Sequence, residues 1–248
     1  MPRQKNRNYT LTPELLQQYH EAALANARAL LEEAALLLRY GHHARAYFLA
    51  VATIEETGKA VQAFDSMGRN LKDSAVATQV KGQFADHAQK IRMAFLPWLQ
   101  ATQLSPEKLE WAANIMVDLQ HGRQPSMYTD IHVEGPRVIT PATSIRQVAA
   151  EDCVRLARDV LMNARLYVTQ AHPKVTTRTQ DALFAMRTAW LKMAQTKDFW
   201  EYYRSRAQAG DRAIETAATQ YHKDYFSKGL QFTAKRNSED DTISSLDA

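Results

Sequence analysis

The stretch that decides the fold lies at residues 43–67 and reads HARAYFLAVATIEETGKAVQAFDSM. Its large apolar residues Tyr47, Val51, Ile54 and Val61 recur at intervals that place them on one side of an α-helix. No proline interrupts the run, and a glycine follows its end, so we predict one helix that stops there. Alternating, strand-like patterns are scarce in the remaining sequence. The chain is therefore predicted to be all-α.

Comparable helical periods on both sides of this stretch predict an up-and-down helical bundle over residues 12–172. Four further segments are predicted helical: a first helix at about 12–40, a third at 74–100, a short one near 106–119 and a last one at 143–172. The irregular segment 120–141 is predicted to hold a small hairpin around Gly135, because glycine and proline cluster there.

Residues 173–236 are predicted to form a C-terminal helical extension, with helices at about 177–206 and 211–228. This segment is unusually rich in aromatic residues, and we interpret it as a docking surface. Residues 1–11 carry bases and no acid, which predicts a basic tail. Residues 237–248 are predicted to be a disordered acidic tail.

Composition limits the classes of function. The 248 residues include one cysteine, Cys153, so an intramolecular disulfide is excluded and a reducing cytoplasmic location is expected. No apolar run is long enough to span a bilayer, so we expect no membrane association. The formal net charge of +4 permits an anionic partner such as a nucleic acid but does not require one.

A carboxylate interrupts the apolar side of the predicted helix at 43–67. Glu55 falls inside the buried arc, and Lys59 lies four residues further on, so a semi-buried ion pair is one interpretation. Asn26, which we place on the buried side of the first helix, would share its hydrogen bonds. The alternative is an ordinary exposed pair worth a few tenths of a kcal/mol.

A histidine interrupts the third predicted helix in the same way. His87 falls among apolar residues of that helix, with Lys90 three residues later. It is either a hydrogen-bonded core residue or a general base. On the last helix of the bundle, Asp152, Asp159 and Asn163 are also predicted to point inward. We expect no metal and no cofactor, because neither histidine pairs at helical spacing nor phosphate-binding glycine loops occur.

Three ordered motifs give this sequence a resemblance to a known family. Residues 45–60, RAYFLAVATIEETGKA, resemble the EExGK helix of the AbiV family of bacterial abortive-infection proteins. His87 to Lys90 is similar to the family's HxxK motif. Arg123 to Asp130, which ends in MYTD, resembles its R…LYVD segment, and Pro141 follows before the last helix, as in the family. The resemblance covers residues 12–172.

The resemblance implies a function as well as a fold. AbiV proteins are grouped with HEPN domains, helical bundles that are frequently metal-independent ribonucleases of phage defence and toxin systems. It implies a cytoplasmic anti-phage effector that shuts down translation, with RNA or ribosome-associated RNA as substrate, a homodimeric state and a phage-encoded activator protein. The alternative is a non-catalytic defence protein that blocks translation or phage development by binding a phage or host protein. A helical adaptor unconnected with phages also stays open.

The resemblance also implies candidate site residues. His87 would accept a proton, Lys90 and Arg123 would hold a phosphate, and Tyr128 would donate a hydrogen bond. The acidic motif would orient these groups through Glu55, Glu56 and Lys59.

Four further residues are secondary candidates. The Arg-x4-6-His motif of HEPN enzymes has one match here, Arg165 with His172, and both are predicted to lie on the side of their helix away from the core. Chance alone predicts such matches in a chain of this composition, so this pair ranks below the other motifs. Asp130 and Asn26 complete the secondary set.

Overall fold

The computed structural model describes residues 9–101, 105–132, 135 and 137–233. Within these residues the chain is mostly helical and carries one two-stranded sheet. The helices are α1 Pro13–Arg39, α2 His43–Ser66, α3 Ser74–Ala85, α4 His87–Ala101, α5 Pro106–Gly122, α6 Pro141–Ser144, α7 Gln147–Gln170, α8 Arg178–Ala185, α9 Arg187–Met193, α10 Lys197–Gln208 and α11 Ile214–Asp224. A 3₁₀ turn follows at Phe226–Lys228. The all-α prediction is confirmed.

Helix α2 is the centre of the bundle and packs against α1, α4 and α7. Small and β-branched residues of α2, including Ala46, Ala50 and Val51, are fully buried where these helices meet. Ile91 and Phe95 of α4 complete the same core. The helix predicted at 43–67 is confirmed, and the up-and-down bundle around it supports the charged side chains described below.

The buried sides of α1 and α7 differ from the prediction by about one residue position. On α1 the buried residues are Leu16, His20, Ala23, Ala27 and Ala34. The predicted inward position of Asn26 is wrong, because its side chain is exposed. Small alanines allow helices to approach closely, so the alanine side of α1 is the one that is buried, and the larger Leu15 lies at the margin.

On α7 the same displacement exposes a predicted inward residue. Asp152 faces solvent and forms an ion pair with Arg155, Nη2 to Oδ1 at 3.1 Å. The neighbouring Cys153 is buried in its place. Asn163 is half-buried and donates to the carbonyl oxygen of Asp159 in the preceding turn. The predicted inward set on this helix is therefore wrong for Asp152.

The third predicted helix is interrupted at Asp86. Its Oδ1 accepts a hydrogen bond from the backbone N–H of Gln89, the arrangement of a helix N-cap, so α3 ends at Ala85 and α4 begins at His87. A single helix over 74–100 is therefore wrong. His87 lies at the start of a helix, where its side chain is less enclosed than at mid-helix.

The predicted small hairpin is confirmed. Strand β1, Asp130–His132, pairs antiparallel with β2, Arg137–Ile139, and Ile131 lies opposite Val138. Most of the turn predicted around Gly135 lies outside the described residues.

The described chain divides into two compact units. The first comprises the residues up to Leu71 together with Val80–Val175, and the second comprises Lys72–Gln79 together with the residues from Thr176 onward. The sequence-based boundary at residue 173 stays a prediction, as do the tails, which lie largely outside the described residues. No described helix combines the length and the apolar character that a membrane crossing requires.

The second unit has its own aromatic core. Phe199 is fully buried, and Tyr202 and Tyr221 are nearly so. The predicted helix at 177–206 is three helices, with one break at Met186 and another before Thr196, whose side chain caps the start of α10. Most of its aromatic side chains pack on one another. The interpretation of the segment as a docking surface stays a prediction.

Candidate functional site

A carboxylate in the middle of α2 is surrounded by three basic side chains. Glu55 Oε2 accepts hydrogen bonds from Lys90 Nζ at 3.1 Å and from His87 Nδ1 at 2.7 Å. Its other oxygen, Oε1, lies 3.1 Å from Arg123 Nε. These four residues, which we call the polar cluster, come from α2, from α4 and from the end of α5. Three of the sequence motifs therefore meet at one carboxylate.

Two glycines allow the helices to approach closely enough for this arrangement. A Cβ atom at Gly58 would lie 1.7 Å from the carbonyl oxygen of Lys90, so only glycine fits where α2 meets α4. A Cβ atom at Gly122 would lie 2.3 Å from Tyr47 Oη. Gly122 ends α5 and directly precedes Arg123. The backbone contact at Gly58 thus places Lys90 beside Glu55, and Gly122 leaves room for the Tyr47 hydroxyl directly before Arg123.

The short contact between His87 and Glu55 selects the tautomer of the imidazole. An ionised carboxylate only accepts hydrogen bonds, so His87 Nδ1 carries the hydrogen and donates it. Lys90 Nζ, 3.2 Å from the same nitrogen, then contributes charge rather than a hydrogen bond to the ring. In the neutral ring, Nε2 keeps its lone pair. Because the His87 side chain is 51% exposed, a substrate can reach the imidazole.

Lys90 and Arg123 differ in exposure and therefore in what they can contact. The Lys90 side chain is only 5% exposed, so its charge is held inside the protein against Glu55. The Arg123 side chain is 29% exposed, and its guanidinium lies over the Phe48 ring at 5.9 Å. Within the described chain Glu55 Oε1 accepts no hydrogen bond, so Arg123 meets it as an ion pair. Arg123 is thus a cation of the cluster that an anion can approach.

The expected pairing of Glu55 with Lys59 is wrong. Lys59 Nζ instead contacts Glu56 Oε1, one turn back on the same helix. The reason is that Glu55 already has three basic neighbours from other segments. Glu56 and Lys59 form a separate, partly buried pair beside the polar cluster.

The remaining candidates lie outside the polar cluster. Tyr128 is 57% exposed, and no contact in the described chain joins its side chain to the cluster. Asp130 is exposed and accepts a hydrogen bond from the backbone N–H of Ile131. Arg165 is exposed on α7. His172 is exposed two residues beyond the end of that helix. As far as the structure describes the chain, neither of this pair contacts the cluster.

Other reactive groups of the bundle are withdrawn from solvent. Burial raises the pKa of the Cys153 thiol to about 12, which keeps it protonated and weakly nucleophilic at neutral pH. Burial also raises the pKa of Asp65, against the opposing effect of a hydrogen bond from Tyr167 Oη at 2.8 Å. Among the described residues, no three His, Cys, Asp or Glu side chains are grouped so as to hold a metal ion.

Sequence reasoning missed the parts of the site that act through packing. The apolar pattern did not distinguish Phe48, although Arg123 lies over its ring. Gly58 contacts the Lys90 backbone, which no local pattern in the sequence predicts. A glycine inside a long helix is unfavourable unless packing requires it, and this is the signal that could have identified the crossing point.

Fold and site together define an all-α helical-bundle protein with a charged cluster on its central helix. The AbiV model, which describes a HEPN-type family, matches residues 15–162, more than half of the chain. The chain therefore belongs to the AbiV family of HEPN-type abortive-infection proteins. The matched region runs from α1 into α7 and contains all four residues of the polar cluster. No curated protein and no solved structure shows a significant match.

Proposed function

We propose that this chain is an anti-phage effector that cleaves RNA with the polar cluster and so shuts down translation in infected cells. The observation that carries the proposal is the hydrogen bond between His87 Nδ1 and Glu55 Oε2 at 2.7 Å. It holds a half-exposed imidazole with its second nitrogen available to accept a proton. A carboxylate that fixes the tautomer and orientation of a histidine is a recurrent arrangement for general bases.

The chemistry uses the ribose hydroxyl of the substrate as nucleophile. His87 Nε2 accepts the proton of the 2′-hydroxyl while the 2′-oxygen forms a bond to the adjacent phosphorus. The bond from phosphorus to the 5′-oxygen breaks, and water supplies the proton that this oxygen takes up. The products are a 2′,3′-cyclic phosphate and a 5′-hydroxyl end. His87 then releases its proton to solvent.

The basic residues have different roles in this proposal. Arg123 is accessible and binds the scissile phosphate, where its guanidinium stabilises the charge that develops during the reaction. Lys90 is buried and balances Glu55, so it is a positioning residue. Glu56 and Lys59 support α2 beside the cluster. Tyr128 lies in the loop after α5, where it would donate to bound RNA, and Asp130 begins β1.

Activity is tested with purified protein and total RNA, with and without a chelator. We expect fragments with 2′,3′-cyclic phosphate ends in both conditions, and at least about a 100-fold lower rate in His87→Ala. His172→Ala is the matched control, since it removes another histidine of the chain outside the cluster. Loss of activity in His172→Ala with full activity in His87→Ala would assign the reaction to the Arg165 and His172 pair instead.

Phage plaquing on cells that carry the same variants links the chemistry to defence. We expect His87→Ala to lose protection. Retained protection by His87→Ala, together with intact RNA at high protein concentration, would favour the non-catalytic alternative, in which the chain binds a phage or host protein. A phage-encoded activator is part of the proposal, so the RNA assay is repeated with lysate from infected cells.

The proposal includes a homodimer, because HEPN sites are usually completed across two chains. Light scattering at micromolar protein concentration measures this directly. A measured mass equal to that of one chain would contradict the dimer. The cleavage proposal is tested separately by the RNA assay.

A further inference from the structure

A pocket of about 560 Å³ opens beside the polar cluster in the first unit. Its walls come from the start of α2, the turn after α5, and α6, and they combine apolar and polar groups. Volumes of this order are typical of small-ligand sites. His43 lies in its wall, with its Nδ1 atom enclosed by the protein. Arg45, also in the wall, is exposed and forms no ion pair among the described residues.

Phe48 connects this pocket to the polar cluster. Its side chain lines the pocket, and the Arg123 guanidinium lies over its ring. Phe48 and Glu55 are seven residues apart on α2, hence on the same side of the helix and separated by about 10 Å along its axis. This distance corresponds to about three nucleotides at the spacing of stacked bases, and to fewer in an extended strand.

The turn after α5 fixes the pocket and the cluster relative to each other. Ser126 is buried, lines the pocket, and donates from Oγ to the carbonyl oxygen of Arg123 at 2.6 Å. The backbone N–H of Met127, also in the pocket wall, donates to the carbonyl oxygen of Gln124 at 3.0 Å. One hydrogen-bonded turn therefore carries Arg123 on the cluster side and two pocket residues on the other.

We propose that this pocket receives one base of a single-stranded RNA whose backbone passes Arg123. The proposal rests on the function proposed above and extends it from cleavage to base selection. The Phe48 ring and the aliphatic wall offer a stacking surface for the base. Arg45 at the rim meets a flanking phosphate. A base-paired strand cannot place a base in the pocket, so the substrate is unpaired at this nucleotide.

The test measures binding separately from cleavage. Short oligoribonucleotides of adenosine, uridine or cytidine, each fully 2′-O-methylated so that they resist cleavage, are titrated against the full chain by fluorescence anisotropy. We expect one base to bind about 10-fold more tightly than the weakest, the order of effect that differences in base stacking produce. Ala142→Trp, which fills the pocket from an exposed position of α6, should remove this preference.

Two further variants control for the added bulk and for the ring. Ala25→Trp places the same side chain on the exposed side of α1 and should leave the preference unchanged. His43→Phe keeps an aromatic ring in the wall, so binding and base preference should both persist. Equal affinity for all three oligomers, or a preference that survives in Ala142→Trp, would overturn the inference.

The two proposals fail in different ways. Cleavage of unmodified RNA that depends on His87 but shows no base preference would uphold the proposed function and overturn the base pocket. A base preference that disappears in Ala142→Trp, in a protein that cleaves no RNA, would uphold the pocket and overturn the ribonuclease.

Discussion

Glu55 and Lys90 are 35 residues apart in sequence and form a buried ion pair, with Lys90 Nζ 3.1 Å from Glu55 Oε2. Their side chains are 8% and 5% exposed. The pair joins the central helix α2 to α4 at the point where Gly58 brings the two backbones together. Because neither charge is well solvated, Lys90 depends on Glu55 for compensation, whereas Glu55 also has Arg123 and His87 beside it.

Removing one partner of this pair should destabilise the protein more than removing both. We expect Glu55→Gln to lower the free energy of unfolding by about 3 kcal/mol, since Lys90 is left as an uncompensated buried charge. Lys90→Met should cost less, because Arg123 and His87 still lie beside Glu55. The double variant should recover much of the loss. Urea unfolding of all four proteins measures the coupling, and additive losses would show that the two charges are independent.

Substitution of Gly58 should separate α2 from α4. The added methyl group of Gly58→Ala meets the Lys90 carbonyl oxygen, so we expect the protein to lose about 2 kcal/mol or more of stability. Gly82→Ala on α3 is the matched control. No described atom lies within 4 Å of its added Cβ, and the change should stabilise the helix by about 0.5–1 kcal/mol. Similar melting temperatures for the two variants would contradict the close crossing.

The stability of the bundle should depend on the ionisation of Asp65. Burial raises the pKa of this carboxyl, so the folded state holds its proton to higher pH than the unfolded state does. The stability that protonated Asp65 contributes is complete below its pKa in the unfolded state, which is about 3.9. It is lost as the pH rises through the pKa of Asp65 in the folded state. Asp65→Asn, which can still accept from Tyr167, should therefore be more stable than wild type at neutral pH.

The pH series provides the check on Asp65. In urea unfolding, the advantage of Asp65→Asn should grow as the pH is raised from about 4 to about 7. An advantage that is constant over this range would mean that Asp65 titrates alike in both states.

Asp198 should hold the second unit together. Its carboxylate accepts from Tyr221 Oη at 2.7 Å, from the backbone N–H of Phe232 at 2.9 Å, and from the backbone and side chain of Thr233. Burial acts to raise the pKa of Asp198, but these hydrogen bonds outweigh it and hold the pKa below its usual range. We expect Asp198→Ala to destabilise this unit by about 2 kcal/mol at neutral pH.

Hydrogen exchange in α10 and α11 measures this effect locally. Because the pKa is lowered, the contribution of Asp198 is present above about pH 4 and should fade as the pH drops through the folded value. Asp224→Ala is the control, since its carboxylate accepts from Gln220 within the same helix. Equal exchange rates in the two variants would contradict a special role for Asp198.

The local sequence determined the central helix and the residue on which the candidate site is built. The period of apolar residues in α2 is long and uninterrupted, so the spacing alone places Glu55 on a buried side. Capping residues such as Thr12 marked helix starts because their side chains act within a few residues. Asp86 is also a capping residue, and it separates α3 from α4. The apolar residues keep their helical period across it, so the sequence pattern does not show the break.

Only the tertiary structure decided which side chains Glu55 contacts. Lys59 is near it in sequence, yet Lys90, His87 and Arg123 arrive from other segments, placed by the close approach at Gly58 and Gly122. The buried sides of α1 and α7 were likewise settled by alanines that allow close packing. A helical period defines a side only to within about one residue, and the partner across a contact depends on helix separation, which no local pattern encodes.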